Sequence, residues 1–193
     1  MKTVARVWIT ILAGVALAVV ASMQPWQRST ARAASDRPAP ELPELPASAW
    51  LNSSPLTLAE QRGRPVLVEF WTFGCSNCRA TLPWLKRVHE RYAPQGLQVI
   101  SIHSPEFEHE RDPTAVARHV RQFGIRYPVL IDNEFRYWKA LDNRFWPAFF
   151  LIDPQGRLVD RRIGELHPGE RSADAFERRI ASYLPGDANH SGK

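Results

Sequence analysis

Between residues 64 and 184 the chain alternates short, wholly apolar runs with stretches in which apolar residues recur every three or four positions. PVLVEFW, bounded by RGR and Gly74, is a run of β-branched and aromatic residues with no polar face, as a strand buried on both sides requires. After it, Leu82, Leu85, Val88 and Tyr92 mark one face of a helix whose first turn includes Cys75-Ser76-Asn77-Cys78 and which Gly96 closes. LQVISIH predicts a second strand, and Asp112-Pro113 opens a helix carrying Ala115, Val116, Val120 and Phe123. YPVLID predicts a third strand, and Phe135 to Leu141 a short helix. PAFFLID and RLVDRRI flank Asp153-Pro154-Gln155-Gly156, whose proline and glycine suit a type I turn, so the pair predicts a hairpin. Ala173, Phe176, Ile180 and Leu184 mark a final helix.

The order β-α-β-α-β-α-β-β-α defines an α/β fold. Strands joined through helices pair in parallel, and the terminal hairpin adds antiparallel strands, giving a mixed central sheet with helices on both faces. Trp50 to Leu58 leaves room for an extra N-terminal β-hairpin.

The ends of the chain have a different character. Lys2 and Arg6 precede residues 7–23, VWITILAGVALAVVASM, an apolar run free of charge. Such a run is an export signal. Its length falls between the core of a cleaved signal peptide and a comfortable bilayer span. Trp8 and Trp26 flank it as interfacial anchors would, which favours an uncleaved membrane anchor; Ala31-Arg32-Ala33 is the rival cleavage site. Residues 1–27 are therefore expected to form an anchor or signal peptide and residues 28–49 a Pro/Ala-rich linker. A single domain is expected over 50–186, with a frayed polar tail over 187–193.

Of the net charge of +5, +2 belongs to residues 1–44, and basic residues after residue 60 alternate with acidic ones. No one-signed stripe exists to follow a phosphate backbone, so nucleic acid is not an expected partner.

Both cysteines of the chain lie in WTFGCSNCRATLPWL. A structural staple is one reading, but closing a two-residue loop contributes little stability. Half of a metal site is another, but zinc needs about four ligands and the histidines show no paired spacing, so no metal or other cofactor is expected. The third reading uses position. A thiol at a helix start meets free backbone N–H groups and the positive end of the helix dipole, which favour thiolate. Cys75 would then attack a substrate disulfide and Cys78, one turn in, would resolve the mixed disulfide. A CxxC beside a βαβ pattern is read this way.

The same stretch after VLVEF, together with SIHSPEFEHERDP and NRFWPAFFLIDPQGR, resembles the thioredoxin fold, and within it the exported TlpA/ResA and DipZ-type branch, over about Leu56 to Leu184. The resemblance implies that Pro147 is a cis-proline turning the backbone of Trp146 towards the cysteines as an edge for substrate; a trans proline at a strand start is the alternative. It implies that Glu69 is a buried acid with a raised pKa that exchanges a proton with Cys78, against a glutamate that reaches solvent or pairs with a base. Trp71 and Phe73 are implied as substrate-side neighbours, although core packing accounts equally well for both. Pro83 falls where the family helix is kinked, which points to packing. His103 and Glu106 match the DipZ-type pattern without a mechanism and read as loop residues.

What the resemblance implies is an extracytoplasmic thiol:disulfide oxidoreductase acting on protein thiols and disulfides, attached to the membrane through its N-terminal segment and supplied by a membrane electron donor if it works as a reductant. Two rivals use the same residues. Thr72-x-x-Cys75 matches part of the peroxiredoxin pattern, with Val68 where proline belongs, and His103 with the two thiols would suit a copper-binding module. Ser76-Asn77 leaves the direction of electron flow open.

Overall fold

The wholly buried run Val66–Trp71 (β2) organises the sheet, because it is hydrogen-bonded on both sides and buried on both faces. The computed structural model describes residues 37–185. Gln98–His103 (β3) lies parallel to β2, Val129–Ile131 (β4) parallel to β3, and Trp50–Leu51 (β1) antiparallel to β4 at one edge. On the other side Ala148–Ile152 (β5) runs antiparallel to β2, and Leu158–Ile163 (β6) antiparallel to β5. The six strands take the order β1-β4-β3-β2-β5-β6. The mixed sheet is the one expected from the run order.

Period-two alternation along β2 sorts the core into two layers. Leu67 and Trp71 face a cluster built with helices α1 (Ser76–Tyr92), α2 (Pro113–Gln122) and α4 (Arg171–Ala181), through Leu82, Leu85, Val116, Val120, Phe176 and Ile180. Val66, Val68 and Phe70 face the opposite layer, with Tyr137 of α3 (Arg136–Ala140) and with Trp50 and Leu58. Asp132 starts α3 by accepting from the N–H groups of Arg136, Tyr137 and Trp138. Asp112 caps α2 through the N–H of Thr114.

Two features differ from expectation. The N-terminal hairpin does not form: Trp50 and Leu51 pair with Leu130 and Val129 instead. Asn52 follows at a φ of 64°, its amide donating to the carbonyls of Ile125 and Tyr127. The chain therefore turns away from a returning partner strand, and Pro55 has no N–H to offer one. Second, the compact unit begins at Pro38, within the stretch expected to be a spacer. Pro38 bridges to Arg157, the N–H of Ala39 donates to the carbonyl of Gly156, and Leu42 is buried. Glu41 takes the N–H groups of Leu58 and Ala59 on its carboxylate, satisfying the start of a short helical turn. A proline-rich composition describes a spacer only until an apolar residue such as Leu42 finds a pocket. Pro83 lies inside α1, as expected, on its exposed side.

The run expected to anchor the chain, residues 7–23, lies outside the described residues. Among those described, no helix is long and apolar enough to cross a membrane.

Docking of the segment before Trp50 is testable by urea denaturation. Leu42→Ala should lower stability by about 2 kcal/mol or more. A chain starting at Trp50 should be less stable than one starting at Pro38; equal midpoints would show that residues 38–49 contribute nothing.

Candidate active site

β2 leaves the sheet at Trp71, and the next four residues deliver Cys75 to the start of α1. Cys75 is the N-cap, with extended backbone, and its Sγ accepts the N–H of Cys78 at 3.1 Å. A sulfur here meets both an orphan donor and the positive helix end. Cys75 is partly exposed, whereas Cys78 is 1% exposed and packed in the core. The two form a disulfide, with Cα atoms 5.3 Å apart. One sulfur faces the surface and the other backs it.

Strand register brings the other candidates to this end of the sheet. Phe70 pairs with Ala148, so Pro147 and Trp146 stand beside the point where β2 gives way to the cysteine loop. The Trp146–Pro147 bond is cis. Trp146 is partly exposed, its indole N–H donates to the carbonyl of Ser104, and its ring lies 4.4 Å from that of Trp138. That bond ties the proline loop to the end of β3.

Glu69 is fully buried on the face of β2 that carries α1. Ser101 donates to its Oε2 at 2.6 Å, while Oε1 is buried without a partner. Burial raises its pKa to about 7, the Ser101 bond opposing the shift only in part. The carboxyl can therefore take or give a proton near neutral pH.

Trp71 and Phe73 occupy different roles from those implied. Trp71 has no exposed surface and Phe73 is 7% exposed, so neither offers a face to substrate. Trp71 packs edge-on against His103, and Phe73 is stacked between His103 and His119, the latter at 4.1 Å. Core packing, the alternative reading, describes both.

The end of β3 and the loop after it contain what sequence reasoning missed, His103 being the last strand residue and not a loop residue. His103 is buried, with Nε2 3.3 Å from the Thr72 hydroxyl. Burial lowers its pKa to about 4, against the opposing charge of Glu110, so the ring is neutral at pH 7. Glu106, singled out by resemblance, is exposed and contributes only its N–H. The carboxylate that reaches the cysteine loop is four residues on. Glu110 is buried and accepts from the N–H groups of Gly74 (2.9 Å), Glu106 (2.6 Å) and Phe107 (2.9 Å). Burial pushes its carboxyl up, but the bonds from Phe107, Thr72, Glu106 and Gly74 outweigh that and hold it below the usual carboxylate range. The hint in the sequence is Gly74, a glycine directly before Cys75.

Among the described residues, no group of three or more His, Cys, Asp or Glu side chains is arranged to hold a metal ion. His103 directs Nε2 to Thr72, and Thr72 is held by His103 and Glu110.

A six-stranded mixed sheet with a cysteine pair at the start of its first long helix defines the thioredoxin-like fold. The chain belongs to the AhpC/TSA family, which it matches over residues 37–161. It is 37% identical over 130 residues to protein DipZ of Mycobacterium tuberculosis, covering 66% of this chain and 18% of that one. The chain thus spans under a fifth of that relative's length. It is 29% identical over 125 residues to the thiol-disulfide oxidoreductase YkuV of Bacillus subtilis, covering 64% of this chain and 83% of that one. Among solved structures, a thiol-disulfide isomerase from Corynebacterium glutamicum superposes with a TM-score of 0.63 at 27% identity, covering 76% of this chain and 96% of that one.

The buried acid carries a pH signature. Its folded pKa lies above its unfolded value, so the folded chain holds more protons between roughly pH 4.5 and 7, and stability falls as pH rises through that window. Glu69→Gln should remove this slope and make the oxidised domain more stable than the parent at pH 8 by about 3 kcal/mol, with little difference at pH 4.5. Parallel stability–pH curves for the two proteins would mean that Glu69 is not held protonated by burial.

Proposed function

We propose that the chain is an extracytoplasmic thiol:disulfide oxidoreductase that exchanges electrons with protein substrates through a mixed disulfide at Cys75. One observation carries the reading: a partly exposed N-cap sulfur is bonded to a buried sulfur one helical turn behind it. In the reduced form, Cys75 as thiolate attacks one sulfur of a substrate disulfide, and the substrate's other sulfur leaves as thiolate. Cys78 then loses its proton to the Glu69 carboxylate and attacks the Cys75 sulfur. The internal disulfide forms, the second substrate sulfur leaves, and two electrons have passed to the substrate. Read backwards, the same steps oxidise a dithiol.

Trp146 and Pro147 are assigned to the substrate side, where their loop borders the sulfurs and an extended peptide would lie along it. The charge-free run after Lys2 and Arg6 supports placement outside the cytoplasm with attachment to the membrane through that segment. Such a location favours disulfides, so work as a reductant calls for a membrane electron donor.

Cys78→Ser should accumulate protein mixed disulfides through Cys75, visible as adducts on non-reducing gels, and Cys75→Ser should abolish exchange. Equal activity in both variants would remove the division of labour. Equilibration in glutathione or dithiothreitol buffers sets the direction, with a potential near about −270 mV marking a reductant and near about −120 mV an oxidant.

A further inference from the structure

The segment Thr72-Phe73-Gly74, which carries the chain from β2 to Cys75, is gripped from two sides by opposite charges that the exchange chemistry does not use. On one side the Gly74 N–H donates to Glu110 Oε1, while Oε2 of the same carboxylate holds the N–H groups of Glu106 and Phe107. On the other side Arg79, in the first turn of α1, donates from Nη1 to the carbonyls of Phe73 and Gly74, each at 3.0 Å. Both peptide groups preceding Cys75 are thereby held.

Gly74 shows how close the carboxylate comes. A Cβ built at this residue would lie 2.4 Å from Glu110 Oε1, nearer than real atoms approach. Gly74 is not among the positive-φ glycines, so the approach of Glu110, not backbone conformation, is what requires a glycine here. The carboxylate also joins two loops, since the turn it organises at Glu106 and Phe107 carries the exposed Phe107. A carboxylate only accepts, so the Thr72 hydroxyl donates to Glu110 and accepts from His103 Nε2. All four donors to Glu110 are neutral groups and leave its charge in place.

We propose that Glu110 and Arg79 form a charged clamp across the Thr72–Gly74 segment, and that both are positioning residues which orient Cys75 and bias its ionisation in opposite directions. The anion opposes a thiolate at Cys75 and the cation favours it, each bonded to the peptide groups next to that residue. Around the segment, His103, His109 and His119 contact Phe73. Glu69 lies on β2, Glu106 and Glu108 on the loop of Glu110, and Arg144 before the proline loop. All of these remain in every variant, so differences between variants cancel their contribution.

The test measures the pH dependence of Cys75 alkylation in the full chain after reduction, with mass spectrometry to assign the modified thiol. Glu110→Gln should move the midpoint to lower pH and Arg79→Gln should move it to higher pH, each by about half a unit or more. Loss of packing alone would not produce shifts of opposite sign. Unmoved midpoints, or two shifts of the same sign, in chains with native near-ultraviolet circular dichroism would overturn the clamp. Should Glu110→Gln fail to fold, Gly74→Ala attacks the same contact while keeping both charges. It should lower the midpoint less than the charge removal is expected to, and an unchanged midpoint there would also overturn the clamp. Where Glu110→Gln folds, adding Gly74→Ala to it should produce no further shift.

The proposal rests on Cys75 being the attacking sulfur, yet alkylation reads its ionisation without any exchange partner. A failed clamp leaves the mixed-disulfide result standing, and exchange surviving in Cys75→Ser would refute the functional reading without altering these midpoints.

Discussion

Everything at the site follows from the pairing of β2 with β3 on one side and β5 on the other. Side chains along a strand alternate faces, so a slip of one residue would carry Glu69 into the opposite layer and turn Trp71 out of the core that α1 covers. Burial on both faces makes such a slip costly. With the register held, Phe70 opposite Ala148 puts the Trp146–Pro147 bend beside the exit of β2, and Trp71 opposite His103 puts the Glu110 loop on its other flank. Both loops therefore leave the sheet on the side where β2 passes into the segment that carries Cys75.

Two buried glutamates near this exit show how local donors decide charge. Both lose water on folding, which by itself disfavours the ionised form. Glu69 has one hydroxyl donor and an oxygen with no partner, so desolvation wins and its pKa rises to about 7. Glu110 has three backbone N–H donors and the Thr72 hydroxyl, so hydrogen bonding wins and its pKa falls. Both side chains are closed off from solvent, but Glu69 lies deeper and has fewer donors, and the two effects together separate an acid that titrates near neutral pH from one held ionised. Neutral His103 completes this arrangement without adding charge, and Phe73, stacked on it, gives the loop an apolar floor in place of a face for substrate.

Local periodicity with cap and turn signals located β2 to β6, the four α-helices among the described residues and the CxxC pair at a helix start, because each depends on residues close in sequence. An apolar run with no polar face, as in VLVEFW, leaves little choice but a strand covered twice, and Leu82, Leu85 and Val88 can share a face only in a helix. The fold class and the mixed parallel and antiparallel sheet were legible on that basis; the spatial order of the strands was not. Glu69, an acid inside an apolar run, was singled out by the resemblance to the thioredoxin fold and not by the pattern itself.

What the chain's own order of residues could not decide is where distant segments meet. Trp50 and Leu51 pair with β4 and not with their neighbours, and Leu42 finds a pocket despite a proline-rich setting. Trp71 and Phe73 turn inward because histidines from β3 and α2 close over them. Glu110 reaches Gly74 across a separation of 36 residues, a contact no spacing rule anticipates. Local hydrogen bonding and hydrophobic period are written in short stretches, whereas burial, pairing at an edge and the ionisation of an acid depend on which surfaces the closed sheet brings together.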